Sequence, residues 1–136
     1  MELMTPEELE RILAEAFPSA VLPTVDEVTD VGVILTLPIG ERNGRPGGTV
    51  SGPTLMTLAD TAAWVAVLSR IGPVLLAVTT SLHIDFLRKP EMTPISARAS
   101  LLKLGSRLAV VEVSMTPEGS STVLAQAQVT YSIPPR

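Results

Sequence analysis

Between Val50 and Ser69 the chain carries a single ionisable side chain, Asp60. Around it runs a helix-length stretch that is apolar nearly all round. Ser51-Gly52-Pro53-Thr54 opens this stretch with a serine at the N-cap position and proline in the first turn, and Gly72-Pro73 stops it just past Ile71. A helix with no polar face has to be enclosed by protein on most sides, so the rest of the chain must supply a wrapper. The apolar region 55–78 is interrupted by Asp60, Arg70 and the Gly72-Pro73 break. It therefore reads as a buried helix followed by a strand rather than as a membrane span.

The wrapper follows at once. Runs 75–87, 95–104, 108–115 and 122–133 are strand-like, and Arg88-Lys89-Pro90, Gly105-Ser106 and Pro117-Glu118-Gly119 are plausible turns between them. Successive strands joined by short turns make an antiparallel sheet. Upstream, Thr5-Pro6-Glu7-Glu8 starts a helix reaching about Phe17, with Leu9, Ile12, Leu13 and Ala16 on one face; Pro18 and Pro23 end it. Residues 25–37 alternate as a strand with Val31, Val33 and Leu35 on one side, and 40–48, rich in Gly and Arg, read as loop. The expectation is an α+β hotdog fold: a long central helix wrapped by a curved antiparallel sheet of about five strands, plus an N-terminal helix.

Composition narrows the chemistry. At 136 residues the chain is one domain, 1–136. It contains no cysteine and one histidine, His83, so a disulfide framework, a thiolate nucleophile, a Cys-ligated metal site and a multi-His metal site are excluded. A net charge of −4 without a dense basic run gives no support to nucleic-acid binding. The charged share is 18% against 46% apolar, lean for a small monomer, which points to a homo-oligomer. Residues 1–17 carry acids throughout and lack the cationic start and apolar block of an export signal, so a soluble, cytoplasmic protein is expected.

Aspartate is a poor helix-interior residue and is rarely buried unpaired. Asp60 therefore either meets a cation from elsewhere or faces a cleft in a catalytic or binding role. Gly52 lies about two turns away, at a helix N-terminus whose free N–H groups favour an anionic oxygen; a plain cap glycine is the other reading. Trp64, one turn past Asp60, with Met56 and Leu68 either lines an acyl or aryl pocket or packs the core. Arg88 and Lys89, with Lys103 and Arg107, either form a cationic rim for phosphates or are solvated turn charges. His83 reads as a surface or interface histidine, and Asp85 as a structural acid.

The segment Gly48-Thr49-Val50-Ser51-Gly52-Pro53-Thr54-Leu55-Met56-Thr57-Leu58-Ala59-Asp60-Thr61-Ala62 resembles the His-Gly-Gly…Leu-Ala-Asp-Thr-Ala signature of phenylacetic-acid-pathway-type (PaaI-like) hotdog thioesterases. Ile84-Asp85-Phe86-Leu87-Arg88-Lys89-Pro90 is similar to that family's Ile-Asp-Phe-Leu-Arg-Pro strand end. The resemblance implies hydrolysis of acyl-CoA or related thioesters without metal or organic cofactor. It also implies a dimer whose sheets pair edge to edge, with active sites at the subunit interface and often a further step to a tetramer. On it, Asp60 matches the catalytic carboxylate, as general base or nucleophile. Gly52 matches the glycine whose backbone N–H polarises the thioester carbonyl, and Thr79 matches a Ser/Thr position that orients water. Three positions depart from the pattern: Ser51 stands for the signature His, Pro53 for the second Gly, and Arg45 where an Asn or Gln is usual, with Asn43 two residues earlier. Arg45 on this count contacts the substrate's thioester oxygen or a carboxylate, or pairs with Asp60. Acyl-CoA binding without turnover, and an enoyl-thioester hydratase using His83, are the competing functions on the same fold.

Overall fold

A computed structural model describes residues 3–135; Met1 and Glu2, at the head of the segment read for an export signal, and Arg136, the last residue of the expected domain, lie outside it. Helix α1 (Pro6–Ala16) begins with a capping box, in which Thr5 Oγ1 accepts from the Glu8 N–H and Glu8 Oε1 accepts from the Thr5 N–H (2.9 Å). Leu9 and Leu13 are its buried residues. Its Glu10 Oε2 accepts from the Val25 N–H at 2.8 Å, occupying a donor on the outer edge of the sheet.

The stretch 25–37 is a hairpin rather than one strand. Strand β1 (Thr24–Val28) turns at Thr29, Asp30 and Val31 into β2 (Gly32–Leu37). Val31 is therefore exposed in the turn, while Val33 and Leu35 are buried. The turn is held from below: Arg70, near the end of the central helix, donates to the carbonyls of Thr29 and Gly32. Burial lowers the Arg70 pKa from its ordinary value, with Asp30 acting in the opposite sense. Gly32 has a steric reason to be glycine, since a Cβ there would lie 1.8 Å from the Ala99 carbonyl oxygen on the next strand.

The expected loop 40–48 is also partly ordered. A 3₁₀ turn (Glu41–Asn43) leads into a two-stranded ribbon, β3 (Gly44–Arg45) with β4 (Thr49–Val50). The ribbon is tied down by the Val50 N–H to the Pro90 carbonyl (3.0 Å) and the Ser51 N–H to the Asn43 carbonyl (2.7 Å).

Helix α2 (Gly52–Ile71) follows, and Gly72 ends it at a φ of 86°, a conformation that suits glycine. Strands β5 (Val78–Phe86), β6 (Ile95–Leu104), β7 (Leu108–Pro117) and β8 (Ala125–Ser132) complete one antiparallel sheet of order β1-β2-β6-β7-β8-β5. The sheet has six strands, one more than expected, because of the hairpin. Alternation sends Ala97 and Ala99, Ala109 and Val111, and Ala125 and Ala127 inward. These small side chains let α2 sit close, packing Ala59, Ala62, Ala63 and Ala66 to zero exposure. By length and composition α2 resembles a membrane span, yet eleven of its residues are buried in this fold. This is the hotdog architecture.

Candidate active site

Asp60 lies where α2 emerges beside β5 and β8, and it is only half-buried. Its Oδ1 accepts from the Thr79 hydroxyl at 2.6 Å and from the Tyr131 hydroxyl at 2.8 Å. Oδ2 has no protein partner among the described residues. Thr79 and Tyr131 are register partners across the β5–β8 ladder, so they lie side by side over the helix. A bulge between Thr79 and Ser81 brings this about. It puts Thr79 on the inner face with Leu82, Ile84 and Phe86, while Ser81, His83 and Asp85 point outward. Without the extra residue Thr79 would share the face of His83.

Tyr131 was not singled out by the sequence reading. It is 4% exposed, and burial raises its ionisation well above the ordinary tyrosine range; the hydrogen bond from Thr79 opposes this and the Asp60 charge adds to it. Its hydroxyl thus stays a neutral donor. The available signal was that Tyr131 is the chain's one tyrosine, in a strand whose other inward residues are small.

Asp60 stands between two hollows. A groove of about 650 Å³ holds Asn43, Ser51, Pro53 and Thr57 on its polar side and Phe17, Val21, Leu22, Met56 and Leu82 on its apolar side. A smaller hollow of about 410 Å³ is bounded by Trp64, Leu75, Val78, Thr79 and Tyr131. Trp64 is largely buried and packs edge to face on Phe17, with ring centroids 5.7 Å apart. It is a wall of the smaller hollow, and Leu68 is core.

Gly52 opens into a third hollow of about 480 Å³ with Arg45, Phe86, Arg88 and Lys89. In the first turn of α2 the Thr54 N–H bonds Ser51 Oγ (3.3 Å), the Leu55 N–H bonds the Ser51 carbonyl (3.3 Å), and Pro53 has none to offer. The Gly52 N–H is thereby the free donor of that turn among the described residues. A Cβ at Gly52 would meet Phe86 only at ordinary contact distance, 3.5 Å, so the chain itself does not demand glycine here.

Several expected groupings are rearranged. Arg45 does not meet Asp60; Arg42 and Asn43 are the loop residues bordering the Asp60 groove, with Asn43 Oδ1 accepting from the Gly40 N–H (2.9 Å). Ser51 is the N-cap of α2. Arg88 donates to the Val123 carbonyl (2.6 Å). Within one chain, Lys103 and Arg107 do not share a rim with Arg88 and Lys89. Leu108 pairs with Ser132 and Val78 pairs with Ser132, whereas Phe86 pairs with Ala125. The two cationic pairs thus sit at opposite ends of the sheet, roughly 20 Å apart at about 3.3 Å per residue. His83 pairs with Asp85 at 3.2 Å on the outer face, both well exposed. It therefore faces away from Asp60.

Known proteins share this fold. Residues 47–131 match the Thioesterase superfamily. The crystal structure of a candidate thioesterase from a Silicibacter species superposes with a TM-score of 0.90 at 40% identity, over 99% of this chain and 96% of that one. A variant of the phenylacetic acid degradation protein PaaI from Thermus thermophilus superposes at 0.73 with 25% identity, over 90% and 98%. A candidate esterase of Thermoplasma acidophilum is 24% identical over 128 residues, 93% of this chain and 96% of that protein. The chain accordingly belongs to the thioesterase superfamily, as a PaaI-like hotdog thioesterase and hence a thioester hydrolase.

Proposed function

We propose that the substrates are small to medium acyl-CoA or aryl-CoA thioesters, cleaved at a site shared by two chains in a cytoplasmic homo-oligomer. The observation that carries the reading is Asp60: one oxygen held by two hydroxyls, the other unpartnered, at the mouth of an apolar groove. Oδ2 is the oxygen that acts, taking a proton from water as it attacks the thioester carbon, or attacking that carbon itself. Either route develops negative charge on the carbonyl oxygen, which the Gly52 N–H at the positive end of α2 is suited to stabilise. Thr79 steadies Asp60, and Asn43 and Ser51 flank the reacting end of the groove. The acyl or aryl group occupies the apolar side and the Trp64 hollow. Arg45, Arg88 and Lys89 form the cationic border for the anionic nucleotide. No metal or organic cofactor enters the reaction as proposed.

Two chains are invoked because Asp60 and Gly52 open into different hollows of one chain. Strand β5 is an outer strand bonded, among the described residues, only to β8, and Val78 and Phe86 at its two ends are 57% and 51% exposed. Antiparallel pairing of β5 with its copy about the Leu82 region sets the Val78 end of one chain against the Phe86 end of the other. That brings the Thr79–Asp60 hollow of one protomer to the Phe86–Gly52 hollow of its partner. It also covers an edge that would otherwise invite aggregation.

The test is release of free thiol from a panel of aliphatic and aromatic acyl-CoAs, comparing wild type with Asp60→Asn. The protein contributes no thiol of its own. Turnover that the variant loses while folded supports the reading. Wild-type binding of acyl-CoA without turnover sinks it in favour of a binding protein.

A further inference from the structure

We infer that Tyr131 is a positioning residue for the reaction: its hydroxyl fixes Oδ1 of Asp60 and so presents Oδ2 to the groove. The inference rests on the reading of Asp60 as the acting carboxylate and adds a residue to it. Along β8 the inward positions are Ala125, Ala127, Val129 and Tyr131. The first three are apolar and small enough for α2 to lie close, and Tyr131 is the exception in both respects. Its ring spans from the sheet to the helix, and its hydroxyl lies 2.8 Å from Asp60 Oδ1 and 3.1 Å from the Asp60 backbone carbonyl. One hydroxyl has one proton, so the two acceptors share it. The phenol thereby references the carboxylate to its own backbone and resists rotation about χ2.

Thr79 delivers the second hydroxyl to the same oxygen at 2.6 Å. With Oδ1 doubly engaged and Oδ2 unpartnered, the carboxylate's two oxygens are no longer equivalent, and rotation of the carboxylate about χ2 has to break both hydrogen bonds. A tyrosine used merely to fill space would need no acceptor at its tip, and phenylalanine would pack as well. Asp60 and Tyr131 are the titratable side chains bordering the smaller hollow, and Arg42 is the other one along the groove.

The experiment is Tyr131→Phe, assayed by thiol release beside wild type and Asp60→Asn, with thermal melting as the check on folding. Loss of the hydroxyl should lower kcat about tenfold with KM within about twofold. Unchanged kcat, with Asp60→Asn inactive, would overturn the Tyr131 assignment alone. Full turnover in Asp60→Asn would instead remove the reading of Asp60 beneath it. Should Tyr131→Phe fail to fold, ultraviolet difference titration reads the same bond from the other side, since the chain has a single tyrosine. Tyrosinate should form at lower pH in Asp60→Asn than in wild type; coincident midpoints would count against the contact.

Discussion

The first turn of α2 and its middle solve opposite problems on the same helix. At the first turn, capping and Pro53 dispose of every N–H but that of Gly52, leaving a bare donor in a hollow bordered by Arg45, Arg88 and Lys89. Two turns on, the helix offers an acceptor, with Asp60 Oδ1 tied by Thr79 and Tyr131 and Oδ2 left open. A reaction that builds charge on a carbonyl oxygen while something attacks its carbon needs both. One chain keeps them in separate hollows, and this separation is what the proposed two-chain site resolves.

The comparison can be broken most forcefully at the acceptor. Asp60→Asn keeps shape and removes the carboxylate, and kcat should fall by about a thousandfold or more with little change in melting temperature. The donor end should be softer. Gly52→Ala keeps its N–H and, by the Phe86 contact, fits the fold, but its methyl occupies the substrate's approach; kcat/KM for thiol release should fall roughly ten- to a hundredfold. If Gly52 is only a cap, activity will follow the small change in melting temperature instead. The cationic border should matter least: Arg88→Gln with Lys89→Gln should raise KM for acyl-CoA a few-fold at low salt. Added salt should erase the difference, and kcat should be untouched.

The sequence was most legible where a single physical demand dominated. An apolar helix with one carboxylate had to be enclosed and had to be explained, and α2 and Asp60 stand where that reasoning put them. It was less legible where register decides. Strict alternation along β5 would place Thr79 with His83, and only the bulge at Thr80 turns Thr79 to Asp60; nothing in the residue types there announces it. Tyr131 meets Asp60 from 71 positions away, a distance that local pattern does not bridge. The β1–β2 hairpin was missed because Val31 continues the apolar alternation through its turn. Counting back along the loop put the family's Asn or Gln position at Arg45; in the fold Asn43 lines the Asp60 groove and Arg45 the Gly52 hollow, a division made by the 3₁₀ turn and ribbon between them.

On the proposed function, Asp60 of one chain and Gly52 of another act on the same thioester. Complementation tests it most directly: Asp60→Asn and Gly52→Ala chains are unfolded together, refolded, and assayed beside each parent treated alike. Mixed dimers would hold one intact Asp60–Gly52 pair and one doubly altered pair, so thiol release should rise well above that of either parent. Activity equal to the average of the two parents, with mixed dimers present, would mean that each chain cleaves its substrate alone and would contradict the account.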